Sequence, residues 1–312
     1  MKKKNLIIIF ASVLISVISL EITLRLFGFN KLTIYYSSNY YGYYHEPNQR
    51  FLSRFNKLIS LDTLGNRNPT NFNFNNSDLF FLGDSVTYGG SVVSNEETFA
   101  HLISNKIGKN YLNISANGWG IPNIINFIEF HNLYKKNSDY ILTCIIDCFT
   151  RNLRKSEQNL FFKKKDRFAL VSFFKLSLFK LNEKNYSASE DGYEQNKKFI
   201  KKDNETTIKY SIEQLVLLNE KLKDINSRLI FVYSPNSDYI KSVLSKKNTQ
   251  INKISKQLLT QIKLNNIELI DISENFDQKT MNNFGRFYID SVHLSKEGHY
   301  LYYEIISKLL YD

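Results

Sequence analysis

From residue 78 onward, short apolar runs alternate with segments of helical periodicity, and this alternation limits the possible folds more than any other feature of the chain. The runs are Asp78 to Leu82, Tyr111 to Ser115, Tyr140 to Ile146, Arg228 to Tyr233 and Ile267 to Ile272. Near-continuous apolar runs suit strands buried on both faces, and strands separated by helices predict a parallel sheet with crossover connections. The expected fold class is α/β, a three-layer α/β/α sandwich with a parallel sheet of about five strands. Ser94 with Glu97 forms a potential capping box ahead of Phe99, Leu102, Ile103 and Ile107, and Gly108 offers a stop. Further helices are predicted over Pro122 to Tyr134, Ile212 to Leu222, Ile251 to Leu264 and Ser295 to Leu310.

The remaining segments break this rhythm. Residues 153–205, with the Lys163-Lys164-Lys165 run and a Phe-rich stretch, read as an insertion between the third and fourth strands. Residues 30–75, rich in Tyr, Asn and Phe with weak periodicity, read as a connecting segment packed on the surface of a domain spanning 76–312. An apolar content of 43% in 312 residues supports a sizeable core. The net charge of +11 comes from Lys dispersed along the whole length, without zinc-finger spacing or a basic helix, so no nucleic-acid partner is expected.

Residues 1–29 differ in kind. Lys2, Lys3 and Lys4 precede Leu6 to Leu20, a run free of charge and of Pro, and the apolar character resumes at Ile22, Leu24 and Leu26 around Glu21 and Arg25. A transmembrane helix wants about 20 apolar residues. A signal peptide shares the basic and apolar regions but ends in a small-residue cleavage site, and none follows Leu20. A buried helix is the third reading. The expectation is an uncleaved signal-anchor, single-pass, with the Lys cluster in the cytoplasm and the remainder outside.

Cys144 and Cys148 are the only cysteines. On one extended segment their Cα atoms would be about 13 Å apart, beyond disulfide reach, so they are expected to be unpaired. They make no Cys-rich zinc site, and no metal or cofactor is expected.

In an open parallel sheet, ligands gather at the carboxyl ends of the strands. Ser85 follows the first run, Gly118 the second, Asp147 the third, and Asp290 with His293 the fifth. A serine hydroxyl needs a base to act as a nucleophile at neutral pH, and His293 with Asp290 would supply one.

These segments resemble the SGNH (GDSL-type) hydrolase superfamily, in particular its bacterial members with an amino-terminal membrane segment. The resemblance covers roughly residues 60–152 and 285–311. GDSVTYGG (83–90) is similar to the nucleophile block, which implies Ser85 as nucleophile. Leu64-Gly65-Asn66-Arg67 is similar to a Leu-Gly-x-Arg element of anchored members. NISANGWG (113–120) is similar to the second block and implies that the backbone of Gly118, with that of Ser85, forms the oxyanion hole. DSVHLSKEGH (290–299) supplies Asp290 and His293 with the family's spacing. The third block departs from the pattern, because Ile145-Ile146-Asp147-Cys148 puts a carboxylate where the family has an Asn. Asp147 is then protonated in a desolvated site, or faces elsewhere to bind a substrate hydroxyl, or yields the amide role to Asn152; a silent pseudoenzyme is the fourth reading.

What the resemblance implies is a flavodoxin-like hydrolase fold and a serine esterase or O-acyltransferase acting on ester groups, acetyl foremost, of cell-surface or exported glycans. Lipid esters are the alternative substrate, and a membrane-tethered glycan-binding or assembly protein the alternative function. Elsewhere, His299 is expected on a helix surface rather than at a metal. Trp119 would line the pocket or cover the sheet edge. Arg151 and Arg154 are expected to be solvated rather than to bind an acidic substrate, and the Lys163 to Lys165 run is expected to be a solvated loop unless the insertion faces the membrane, where it would touch anionic lipid.

Overall fold

The computed structural model describes residues 3–53, 55–68, 74–153, 166–188, 190–236, 239–240, 243, 250–276 and 282–312, with backbone alone for 179–204 and 250–252. The first element, α1 (Lys3–Leu26), is an exposed apolar helix of 24 residues. At 1.5 Å per residue it is about 36 Å long, enough to cross a membrane. Two antiparallel hairpins follow, β1 (Tyr35–Ser38) with β2 (Gly42–His45) and β3 (Arg50–Leu52) with β4 (Leu58–Ser60).

The body then unfolds in sequence as β5 (Leu79–Gly83), α2 (Ser85–Tyr88), α3 (Phe99–Ile107), β6 (Tyr111–Ser115), α4 (Ile121–His131), β7 (Asp139–Cys144) and α5 (Asp147–Thr150). It continues through α6 (Ala169–Ala188), α7 (Glu190–Lys223), β8 (Arg228–Tyr233), α8 (Gln250–Leu264) and β9 (Glu268–Asp271), and closes with α9 (Phe284–Phe287) and α10 (Lys296–Leu310). The five strands β5 to β9 form one parallel sheet in the order β6-β5-β7-β8-β9. The chain enters at β5, steps out to β6, returns past β5 to β7, and proceeds to β9. Right-handed crossovers put the helix of the first step on one face and those of the later steps on the other. Accordingly α3 packs with α10, and α4 with α7. The reversal of direction beside β5 opens a crevice at the carboxyl ends of β5 and β7, where this order of strands places ligands.

All five expected strands form, each within two residues of the expected limits. β5 and β7 are buried at every position, which is why their sequences show no alternation. Ile145 and Ile146 leave β7 because the chain turns there into α5.

Other expectations are corrected. The Ser94 and Glu97 pair caps a 3₁₀ turn over Asn95–Glu97, with Ser94 N–H donating to Glu97 Oε2 at 2.9 Å, whereas α3 starts at Phe99 under Thr98, whose side chain accepts from His101 N–H. α4 stops at His131 rather than Tyr134, because Asn132 takes the left-handed conformation at φ 49° that closes a helix. The helix expected from Ile212 is the last third of α7 and begins inside the supposed insertion. Residues 30–75 do not merely coat the surface. Tyr43 and Tyr44 are fully buried, and Tyr44 stacks on Trp119 at 4.8 Å.

Candidate active site

Gly83 ends β5 at a place with no room for a side chain. A Cβ there would lie 2.2 Å from Thr87 Oγ1 and 2.3 Å from the Thr143 carbonyl. Thr87 Oγ1 donates to that carbonyl at 2.8 Å, tying α2 to the end of β7. Asp84 caps α2 by accepting Val86 N–H at 2.9 Å, which leaves Ser85 as the first helical residue, at the mouth of the crevice.

The loop between α9 and α10 brings the base. A bridge between Tyr288 and Leu294 closes it, and Gly298 allows α10 to lie against it, since a Cβ there would sit 2.0 Å from the Phe287 carbonyl. His293 Nε2 is 2.9 Å from Ser85 Oγ, and His293 Nδ1 is 2.6 Å from Asp290 Oδ2. The second Asp290 oxygen accepts the backbone N–H groups of Val292 and His293 at 2.9 and 2.8 Å. Partial burial would raise the Asp290 pKa, but those two backbone donors and the imidazole outweigh it and hold the carboxyl below its usual range.

A cavity of about 1010 Å³ opens over this relay. Ser85, Gly118, Asp147, Asp290 and His293 all line it, so five of the six expected site residues share one cavity. Asn152 is the exception: its side-chain oxygen accepts from Thr207 Oγ1 at 3.2 Å, toward α7. Asp147 is no desolvated acid, since 56% of its side chain is exposed, and its carboxylate lies 4.0 Å from Arg151 Nη2.

Arg151 is not a solvated charge. Its Nη1 donates to the Trp119 carbonyl at 2.9 Å and reaches Asp84 Oδ2 at 3.4 Å, so the guanidinium joins the ends of β5, β6 and β7. Burial alone would lower its pKa, but the Cys148, Asp84 and Asp147 side chains around it carry it above the ordinary value. Asp84 is fully buried, and that desolvation raises its pKa despite Arg151. The Cys148 thiol donates to Asp84 Oδ2 at 3.4 Å and also reaches Cys144. The assumption of one extended segment fails because α5 folds Cys148 back toward the strand; both thiols are free and buried. Arg154 and Lys163 to Lys165 lie outside the described residues.

The supports of the site were the least visible in the sequence. Arg67 is 1% exposed and donates to the carbonyls of Tyr88, of Gly90 at 2.6 Å and of Val93 at 2.5 Å, and to Asn95 Oδ1 at 3.2 Å. It holds the loop that follows Ser85, a task suited to a planar group with five donors. Tyr43 donates its hydroxyl to the Asn117 carbonyl, and the Asn117 amide donates to the Tyr35 hydroxyl at 3.0 Å, so the first hairpin braces the turn that carries Gly118. Trp119 is fully buried, donates to the Tyr43 carbonyl at 2.9 Å and lines no part of the cavity. His299 is also fully buried and accepts the Phe99 N–H at 3.3 Å, which serves the start of α3 rather than a surface or a metal.

No family model matches the chain, and no curated protein is similar to it. Solved structures are. A lipolytic protein of the G-D-S-L family from Veillonella parvula is 14% identical over 75% of this chain and 97% of its own, with a TM-score of 0.43. A putative lipolytic protein of the same family from Desulfitobacterium hafniense is 14% identical over 75% of this chain and 100% of its own, at 0.46. A variant of an acetyl xylan esterase from Geobacillus stearothermophilus is 12% identical over 74% of this chain and 92% of its own, at 0.45.

Proposed function

We propose that the chain is a membrane-anchored serine esterase of the SGNH (GDSL) type that removes or transfers acyl groups, acetyl foremost, on exported or cell-surface glycans. The observation that carries this reading is the continuous relay Asp290 Oδ2, His293, Ser85 Oγ, with contacts of 2.6 and 2.9 Å. Ser85 Oγ attacks the ester carbonyl while His293 Nε2 takes its proton, and the ionised Asp290 holds the imidazole in the required tautomer. The backbone N–H groups of Ser85 and Gly118 receive the oxyanion. His293 returns the proton to the leaving alkoxide, and the acyl-enzyme passes to water or to a sugar hydroxyl. Arg151, between Asp84 and Asp147, offsets the negative charge of both.

A glycan substrate is supported by the mixed lining of the cavity, where Phe51 and Phe55 accompany Lys31, Asn117, Asp147 and Arg151. Sugars are held by that mixture of flat apolar surface and polar groups, whereas a long acyl chain wants a continuous apolar groove. α1 serves as the anchor, with the catalytic body outside the cytoplasm.

The test compares the full chain and Ser85→Ala in detergent micelles, using p-nitrophenyl acetate with and without a sugar acceptor, and a fluorescent phosphonate that labels activated serines. The wild type should hydrolyse the ester and take up the label, and Ser85→Ala should lose about 10⁴-fold or more in rate. Equal, background-level signals from both proteins would overturn the hydrolase reading. A rate that climbs with acyl chain length would shift the substrate from acetylated sugar to lipid.

A further inference from the structure

The first half of α6 is apolar on both sides. One side packs inward: Ala169 and Ser172 are buried, and Phe173 meets Phe29 edge-on at 5.2 Å. The other presents Val171, Phe174 and Leu178, 40, 54 and 60% exposed, in line with Phe168, 52% exposed, immediately before the helix. Their spacing of three, three and four residues puts them on one stripe.

The start of α6 is bonded to the end of α1. The two oxygens of Glu21 accept the N–H groups of Ala169 and Leu170, each at 2.9 Å, so an acid of α1 caps the start of α6. Arg25 donates to Glu21 Oε1 and to the Arg167 carbonyl, both at 2.7 Å. Depth follows from length. Leu6 to Leu20 spans only about 22 Å as helix, short of the roughly 30 Å of hydrocarbon, and the apolar stretch fills that thickness only if it continues past Glu21 to Leu26. A carboxylate at that level is costly unless it is paired, and the start of α6 with Arg25 supplies the partners. The start of α6 must then lie at the same level.

We propose that the first half of α6 is a second membrane contact, lying in the boundary between headgroups and acyl chains beside the exit of α1, with Phe168, Val171, Phe174 and Leu178 turned into lipid. The proposal rests on α1 being a membrane anchor, since it is the continuity of the two exposed apolar surfaces that selects lipid as the occupant. Arg167 lies over the Phe168 ring at 5.9 Å, an arrangement that lets a charge reach headgroups while the ring stays in the acyl region.

The test uses the full chain reconstituted in vesicles of phosphatidylcholine and phosphatidylglycerol, with an environment-sensitive fluorophore on single introduced cysteines. Cys144 and Cys148 are buried and escape labelling. Phe174→Cys and Leu178→Cys probe the stripe, Ile15→Cys probes the middle of α1, and Leu264→Cys, at a site 69% exposed on α8, reports water. Nitroxide-bearing lipids should quench the labels at 174 and 178 several-fold more than the label at 264, with the nitroxide near the headgroup more effective than one deep in the chain. Quenching at 15 with none above the 264 level at 174 and 178 would overturn the proposal and leave the anchor standing. So would blue-shifted, unquenched labels at 174 and 178, which would signify a second copy or another protein on the stripe. No quenching at 15 would overturn the anchor itself.

Discussion

The Asp147 carboxylate stands in the cavity wall, more than half exposed and 4.0 Å from Arg151 Nη2. On the proposed mechanism, an amide at that position would donate toward the developing oxyanion, and a carboxylate would repel it. One donor of this kind is worth about 10² to 10³ in turnover. Asp147→Asn is therefore expected to raise kcat on p-nitrophenyl acetate by about tenfold or more, with KM little changed. The exchange is nearly isosteric at an exposed site, so folding should be unaffected. A variant slower than wild type would defeat this account and assign the carboxylate to binding a substrate hydroxyl. The partners of Arg151 make the sign of the effect readable, because Asp84 and the Trp119 carbonyl keep the guanidinium in place when Asp147 loses its charge.

At the scale of elements, the site depends on how closely the ends of β5 and β7 approach. Gly83→Ala would drive a methyl into Thr87 Oγ1 and the Thr143 carbonyl, so either α2 moves or the two strand ends part. The expected result is a loss of ester hydrolysis of 10²-fold or more, from a misplacement of Ser85 of about 1 Å, together with a lower melting temperature. Calorimetry and initial rates on the same sample check it; unchanged values for both would show that the turn has slack. The same elements explain what the sequence disclosed. β5, β7 and β8 are buried on both faces and leave long apolar runs, and Ser85, Asp290 and His293 sit in short local motifs that survive without tertiary knowledge. The hairpins were hidden because their strands have three or four residues, and because β2 is buried at all four positions, which erases the alternation that marks a strand. Arg151 and His299 were misjudged, and Trp119 left open between two readings, for another reason: burial of a polar side chain depends on partners far away in sequence, such as the Tyr43 carbonyl for Trp119 and the Phe99 N–H for His299.

At the scale of the whole molecule, two histidines sealed in the interior make the fold sensitive to acid. His45 stacks on Tyr88 at 4.6 Å and bonds through Nδ1 to the Gly65 carbonyl at 3.0 Å; His299 stacks on Phe99 at 5.6 Å. Burial, reinforced by the charge of Arg67, lowers each pKa from 6.5 to about 3. The unfolded chain therefore binds two protons below about pH 6.5 that the native protein refuses until about pH 3, so stability falls as pH falls through that window. The cost is about 1.4 kcal/mol per pH unit for each imidazole, or about 5 kcal/mol for the pair by pH 4.5, a large share of an ordinary folding free energy. Asp62, Asp84 and Asp271 act in the opposite sense, since burial raises their pKa values and the native state takes up those protons first. His299→Gln keeps an acceptor for the Phe99 N–H and removes one titrating ring, so its stability, measured by urea denaturation at pH 7, 6 and 5, should decline with a shallower slope than that of the wild type. Parallel declines in the two proteins would mean that His299 carries none of the acid sensitivity.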